Sequence, residues 1–567
     1  MDARIPPQPS RSLDAAAPEG DGVAATDADW SPKRRAFLRM LGYGGGLAAV
    51  GGLSACGGSD GGGSFLPAAT AQSPQDAAAL AARQAVLAQD PSFWTQVQAR
   101  FVLNPGKRFM NVGTAGSMPR EVLDKFAADN LDYAVESRNG YSNFLAQRTA
   151  IARGAGVAAG AAYDPDRGLG VDPDELVLSY NTSDGMCHSI LGIPWNRGDV
   201  VITTNMEHPG GDVPLAIARD RYGVEIRRVT LPVGPAISDQ SFVDLFARAI
   251  DAVRAEGKTV RALMWSSPIY LTGTILPNKA LVQLAIQRSA GAATPIVTIC
   301  DGAHLPGMMA YNYADQGMDF MSAAGHKWQC GPGSTGLLVI RNKVRGSNPL
   351  PLPAYFPVTT SSYPQNGQVA AASGGGTVPW TQRATGPAAT FDIGSIITSC
   401  GSKHTPLLNG LTNACAIWDG IGRKKVETYV LSLANYLRQK LVVAFGPDSL
   451  YSPRDPASVN SALTLVNPFT VGGSPARISQ GASGTTPSPS NRLVTALDQA
   501  GFVVRNVTVP VLNAGVAPQL LGPNVNATPA SIATNQFPLR ISTHVWHDVD
   551  DIDQLVAAIQ AAVGQIA

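Results

Sequence analysis

The sequence predicts an α/β protein: a large domain on a mostly parallel β-sheet, followed by a smaller α+β domain at the carboxyl end. Three observations predict it. Short apolar, β-branched runs read as strands at 175–179, 199–203, 224–231, 261–266, 297–299 and 336–340, with a helical run at 188–193 between the first two. Asp301, His304 and Lys327 stand at or just past strand ends, and open α/β sheets bind ligands at the carboxyl ends of their strands. Beyond residue 391, helical runs at 406–420, 426–443 and 492–500 mix with short strand candidates at 462–466 and 502–504, and a closing helix starts at Asp548.

With 567 residues the chain can hold more than one domain and a large core. The hydrophobic fraction of 44% and charged fraction of 15% are those of a globular protein. A formal net charge of +1 gives no electrostatic footprint for a nucleic-acid partner, and none is expected. The 59 glycines and 42 prolines, gathered in Gly/Ser/Pro stretches, point to long loops. The six cysteines, Cys56, Cys187, Cys300, Cys330, Cys400 and Cys415, form no C-x-x-C pair. Neither a metal site nor a disulfide framework is expected, and the last five read as buried thiols or small core residues.

Residues 1–75 read as an export leader and flexible tether. The first thirty are polar and rich in Ala, Pro and Asp. Lys33-Arg34-Arg35-Ala36-Phe37-Leu38-Arg39 then resembles a twin-arginine export signal. The following 40–53 stretch is too short and too weakly apolar to span a membrane. It ends in Leu53-Ser54-Ala55-Cys56-Gly57, which resembles a lipobox, and the Gly/Ser run after it suits a tether. These resemblances imply export by the twin-arginine route, with lipidation at Cys56. The product would be a periplasmic protein or a membrane-anchored lipoprotein. The twin-arginine route carries folded proteins.

Residues 76–165 form an N-terminal helical arm. Ala-rich 75–89, aromatic-anchored 93–101 and 121–135 carry helical patterns. Between them, Asn111-Val112-Gly113-Thr114-Ala115-Gly116-Ser117-Met118-Pro119 ends in a proline suited to a first helical turn. Residues 138–141 read as a turn.

The chemistry-bearing stretch lies in the large domain, 166–345. The strand at 297 runs into Asp301-Gly302-Ala303-His304. A second apolar patch at 318–321 leads to Gly325-His326-Lys327-Trp328, a Gly/Pro turn and the strand at 336. This pattern resembles the class V aminotransferase family of pyridoxal-phosphate enzymes, and within it the isopenicillin N epimerase-like branch. The resemblance covers roughly Phe109 to the carboxyl terminus. It implies the aspartate-aminotransferase-like fold (fold type I) and pyridoxal 5'-phosphate as cofactor. Lys327 would form the Schiff base, Asp301 would pair with the pyridinium nitrogen, and His304 would lie near the ring's phenolic oxygen. The residue types suit those roles. An amine nucleophile captures an aldehyde, a carboxylate keeps the ring nitrogen protonated, and partial desolvation keeps the amine neutral often enough to attack.

The remaining expectations follow the resemblance along the chain. Asn181-Thr182-Ser183-Asp184 stands between a strand and a helical run, where free N–H groups and the helix dipole favour an anion, so Thr182 and Ser183 would hold the phosphate. Glu207-His208 matches the position of a ring-stacking histidine, which makes His208 a cofactor contact and a proton relay. Ser267-Pro268-Ile269-Tyr270-Leu271-Thr272-Gly273 departs from the turn that relatives carry, and leaves open which residue faces the cofactor. Ala324 stands where many relatives place a phosphate-binding serine, with Ser322 two residues back, so His326 is expected to take more of the phosphate contact.

The Pro/Ser/Gly/Thr-rich loop 346–390 is expected to border the site. In the C-terminal domain, 391–567, Gly394-Ser395 resembles a segment that reaches the phosphate of a neighbouring subunit, which implies a homodimer with shared sites. Residues 474–491 read as a loop and 514–535 as an insertion. Leu539-Arg540-Ile541-Ser542 resembles the family's segment whose arginine, Arg540 here, grips the substrate carboxylate through a bidentate fork.

The expected activity is that of a class V aminotransferase acting on a small amino acid. Epimerisation or racemisation and carbon–sulfur lysis are alternatives at the same site. Persulfide-forming desulfurases of this family use a cysteine on a mobile loop or near the carboxyl end. The 346–390 loop has no cysteine and none follows Cys415, which argues against that chemistry. A reading of another class is a non-catalytic exported lipoprotein with a degenerate cofactor pocket.

Overall fold

The computed structural model describes residues 73–136, 140–158, 161–234, 237–292, 294–370, 377–380, 392–454, 460–469 and 486–566. The leader with Cys56, the turn residues Arg138 and Asn139, and Phe391 lie outside the described residues.

A seven-stranded sheet carries the fold. Its strands are β1 (Leu176–Ser179), β2 (Val200–Thr204), β3 (Glu225–Val229), β4 (Val260–Ser266), β5 (Val297–Asp301), β6 (Phe320–Ala324) and β7 (Gly336–Ile340), in the order β1-β7-β6-β5-β4-β2-β3. The pairs from β6 to β3 are parallel, while β7 runs antiparallel to both β6 and β1. The carboxyl ends of β1 to β6 therefore share one edge of the sheet. The chain crosses between the parallel strands through helices, as parallel pairing requires.

Burial on both faces explains why these strands read as apolar runs rather than as alternating ones. On β4, Ala262 and Met264 face Met186, Ile190 and Leu215 of the helices Thr182–Leu191 and Pro209–Tyr222. Leu263 and Trp265 face the other layer, with Phe242 and Phe246 of Asp239–Ala255 and Leu281 of Asn278–Arg288. Each layer excludes water from one side of the sheet, and that burial is the main favourable term in folding.

The 514–535 region has a structural task. Backbone bonds join Thr230 N to Gln519 O, Leu521 N to Arg228 O and Asn524 N to Ile226 O, so this segment covers the outer edge of β3. An uncovered edge would offer free N–H and C=O groups to other chains. The segment's last residues, Ala533–Gln536, form a strand against Val509–Leu512.

At the carboxyl end, a three-stranded antiparallel sheet places Leu539–Ser542 between Leu463–Val466 and Arg505–Asn506. The helices Arg423–Phe445 and Val549–Ile566 back it through Leu433, Leu437, Ile552 and Leu555. The helices Pro74–Leu87 and Pro91–Gln98 share this core, with Trp94 stacked on Tyr429 at 3.8 Å between ring centroids. Both start on a side-chain cap, Ser73 and Asp90, followed by proline.

Two expectations are corrected. The 474–491 loop ends earlier than expected, because Ser488 caps a helix with Pro489 in its first turn, and that helix runs Pro489–Gln499. Cys187 and Cys400 are partly exposed, Cys187 on the helix Thr182–Leu191 and Cys400 in a surface groove, while Cys300, Cys330 and Cys415 are buried.

Candidate active site

A polar row crosses the carboxyl edge of the sheet. Ser266, Asp301 and Ser322 are register partners on β4, β5 and β6. At one end of the row, the Ser266 and Thr204 hydroxyls both donate to the carboxylate of Glu207. At the other end, Ser322 Oγ donates to the Thr182 carbonyl at 2.9 Å. Asp301 occupies the middle, 3% exposed, with Oδ1 accepting from Ala303 N at 3.1 Å. Burial raises the Asp301 carboxyl above its ordinary range, opposed by the charge of Lys327. Burial pushes Glu207 up to about 7, against the hydroxyls that hold its charged form.

Lys327 stands in the turn after β6. The turn is pinned from outside by the 111–119 segment, where Gly116 N donates to His326 O at 2.8 Å. Only glycine fits at 116, since a Cβ there would lie 2.1 Å from Lys327 O. Desolvation lowers the Lys327 amine to about 8; Asp301 opposes the shift, while Arg540 and Arg505 add to it. An amine held near neutrality is one poised to act as a nucleophile or base.

The phosphate-type cradle is a helix start. Asn181 caps Thr182–Leu191 by accepting from Asp184 N. Thr182 Oγ1 is buried and without a partner. Ser183 is exposed and adjoins the next turn, where a Cβ at Gly210 would meet Ser183 Oγ at 2.4 Å. That turn carries His208, whose Nδ1 accepts from Gly210 N at 3.0 Å and so leaves the proton on Nε2. Partial burial and the nearby cations Lys327, Arg540 and Arg505 hold the imidazole down at about 4, neutral at physiological pH.

His304 is buried, and its Nδ1 accepts from Trp328 Nε1 at 3.0 Å. His326 is half-buried, its Nδ1 lying 3.1 Å from Thr335 O. Arg540 is 2% exposed, with Nη1 donating to Tyr270 O at 2.9 Å and Nη2 reaching Thr114 Oγ1 at 3.3 Å and Asn111 Oδ1 at 3.5 Å. Its Nε is buried without a partner. Burial lowers this guanidinium to about 10, helped by Arg505.

The structure thus brings Thr182, Ser183, His208, Asp301, His304, His326, Lys327 and Arg540 to one edge of the sheet. Gly394 and Ser395 lie elsewhere in the same chain. They sit in the short helix Ile393–Thr398, where Gly394 packs against Leu176 O at the opposite end of β1. The described part of the 346–390 loop lies along the far half of the phosphate-turn helix, through Phe356 N to Gly192 O and Thr359 beside His188.

Sequence reasoning passed over Glu207 and Arg505 as site residues, and left the 267–273 turn open. In that turn Tyr270 meets the His208 ring edge-on, with centroids 5.0 Å apart. A charged residue closing the apolar run 502–504 was the available signal for Arg505.

The family model of aminotransferase class-V matches residues 118–468. An isopenicillin N epimerase from Streptomyces clavuligerus is 26% identical over 246 residues, which are 43% of this chain and 56% of that protein. A hercynylcysteine sulfoxide lyase from Schizosaccharomyces pombe is 25% identical over 178 residues, 31% of this chain and 41% of that protein. The chain spans about half the length of the curated relatives it matches. Among solved structures, an apo cysteine desulfurase from Thermococcus onnurineus NA1 superposes with a TM-score of 0.56 at 16% identity, covering 83% of this chain and 98% of that chain. That likeness is one of fold. The family match takes in more than half of the sequence and the whole of the polar row, and the chain belongs to the class V aminotransferase family, a family of pyridoxal-phosphate-dependent enzymes.

Proposed function

We propose that the chain is a pyridoxal-phosphate enzyme that transfers the amino group of an amino acid. The observation that carries this reading is the placement of Lys327 in the turn after β6, pinned by Gly116 N on His326 O and next to the sheet edge that carries the buried carboxylate of Asp301, where desolvation lowers the amine to about 8. The residues fit the cofactor. The orphaned Thr182 Oγ1 at a helix start suits a phosphate, and the buried Asp301 suits a protonated ring nitrogen. Lys327 would hold the cofactor's aldehyde carbon, Thr182 and Ser183 its phosphate beside His326, His304 its ring oxygen, and His208 would cover its face. When bound, the cofactor supplies a carbonyl that captures the substrate amine and a ring that accepts electrons released at Cα.

The chain's own residues do the rest. Arg540 would receive the substrate carboxylate on its fork, whose Nε is unpartnered and whose Nη2 is steadied by Thr114 and Asn111. Lys327 would remove the Cα proton and deliver it to the cofactor's former aldehyde carbon, which leaves Cα at the level of an oxo acid. His208, lowered to about 4 by partial burial and nearby cations and with Nδ1 accepting from Gly210 N, would be a weak proton donor. One competent base working from one side favours amino-group transfer over two-base racemisation.

The test is incubation of the leaderless holoprotein with an amino-acid panel and a 2-oxo acid acceptor, beside Lys327→Ala. A new amino acid and a new oxo acid formed in equal amounts, lost in the variant, support the reading. Racemisation without acceptor would assign epimerisation instead, with Tyr270 beside His208 as the proton source to examine. Release of a Cβ substituent would assign a lyase. A wild type that takes up no pyridoxal phosphate would favour the non-catalytic lipoprotein reading.

Two assembly features belong to the same proposal. The exposed Tyr141, Tyr180, Phe356 and Val358 lie around Lys403 and Cys400, near the phosphate turn, and support a homodimer with this face inside. Sedimentation at micromolar concentration tests it. Export by the twin-arginine route with a lipid on Cys56 rests on the 33–57 motifs, and labelled-palmitate incorporation with a Cys56→Ala control tests it.

A further inference from the structure

Two arginines converge on one hydroxyl at the substrate side of the site. Arg505 and Arg540 are direct partners across neighbouring antiparallel strands, so both side chains leave the small sheet on the same face. Arg505 Nη1 lies 3.4 Å from Thr114 Oγ1, and Arg540 Nη2 lies 3.3 Å from the same atom. One hydroxyl thus confines both cations to the span of a small molecule. Like charges facing each other across a strand pair are destabilising. Among the described residues neither guanidinium meets a carboxylate: Arg505 contacts Thr114 and Asn506 O, and Arg540 contacts Tyr270 O, Asn111 and Thr114.

The two differ in depth. Arg540 is buried with an unpartnered Nε, while Arg505 is exposed at the rim. Both add positive charge at Lys327 and His208. A deep arginine and a rim arginine joined by one threonine suit a ligand with two anionic groups, one on the α-carbon and one at the end of the side chain.

We infer that Arg505 is a specificity-determining residue that selects amino acids bearing a side-chain carboxylate, with Thr114 setting the spacing between its fork and that of Arg540. This assignment rests on the proposed roles of Lys327 and Arg540 and adds the substrate class. Arg is suited to it because its planar fork binds carboxylates bidentately, whereas a lysine would act as a point charge. An alternative use of Arg505, as a second grip on the α-carboxylate, would affect acidic and neutral amino acids alike.

The experiment compares each acid with its own amide. Wild-type holoprotein, Arg505→Gln and Arg505→Lys are titrated with L-aspartate against L-asparagine and L-glutamate against L-glutamine. Binding is read from the shift of the visible cofactor band, without turnover. Wild type is expected to bind one acid at least roughly tenfold more tightly than its amide. In Arg505→Gln the two affinities are expected to converge through loss on the acid alone, and Arg505→Lys is expected to recover part of the difference. Raising the salt from 0.05 to 0.5 M should shrink the wild-type preference, since the rim cation is open to screening. Equal affinity for acid and amide in wild type overturns the assignment, as does a parallel loss on both in Arg505→Gln. A wild type whose band responds to none of the four, but responds to an amino acid with a short apolar side chain, overturns it and leaves Lys327 and Arg540 standing. A band that responds to no amino acid overturns the reading of Lys327 and this assignment together.

Discussion

The hydroxyl of Ser322 supports the backbone of Thr182: Oγ donates to the Thr182 carbonyl at 2.9 Å, beneath the helix start whose own threonine hydroxyl is left unpartnered. The residue three before Lys327 is Ala324, and Ser322 acts on the helix start from below. Gly185 gives it room, for a Cβ there would lie 2.1 Å from Ser322 Oγ. Ser322→Ala is expected to cost about 1 kcal/mol in stability. It should also weaken pyridoxal-phosphate affinity several-fold with little change in the position of the bound band. Thermal melting and a cofactor titration check the two parts separately.

Gly116→Ala is expected to be far more severe than its exposure suggests. The new methyl would lie 2.1 Å from Lys327 O and 2.8 Å from Cys330 Sγ, and the first of these is backbone. Relief requires moving the lysine turn. A loss on the order of 2–3 kcal/mol is expected, with cofactor uptake reduced more than in Ser322→Ala.

The rate of cofactor uptake by apoprotein is expected to rise with pH through about 8 and level off above it, because the Lys327 amine attacks only when neutral. Stopped-flow growth of the visible band across pH 6–10 checks this; a profile flat from 6 to 10 would count against Lys327 as the nucleophile. The same depression affects stability. The unfolded lysine keeps its proton to about 10.5. Between about 8 and 10.5 the unfolded state binds more protons, so the Lys327 contribution to stability rises with pH across that window.

Glu207 works in the opposite direction. Its folded value is raised from 4.5 to about 7, so the folded state binds the extra proton between those limits. Its contribution is fully present below 4.5 and is lost as pH rises through 7. Glu207→Gln is expected to flatten that part of the pH–melting profile, worth on the order of 2–3 kcal/mol in wild type. Differential scanning calorimetry of apoprotein at pH 5 and pH 8 checks it.

Much of the large domain was legible because its strands are buried on both faces and therefore written as unbroken β-branched runs, as at 297–301 and 260–266. Lys327, Asp301, Thr182, His208 and Arg540 were legible as site candidates because each follows or sits on such a run with a family motif around it. The role of Ser322 was not legible, because its partner, Thr182 O, depends on how β6 and the helix after β1 pack, which no local pattern records. Arg505 belongs to a two-residue strand whose pairing with Arg540 spans 35 positions of chain including an edge-covering segment. Tyr270 and Thr114 come from irregular segments, where side-chain direction follows from tertiary contacts rather than periodicity.

The 111–116 segment braces the lysine turn, and the strands bearing Arg505 and Arg540 close the opposite side. The site therefore draws on both extremes of the folded chain. During synthesis the amino-terminal part emerges first, so the 111–116 brace is made before the strands that bear Arg505 and Arg540. A chain that stops short of Arg505 therefore lacks both guanidiniums that contact Thr114.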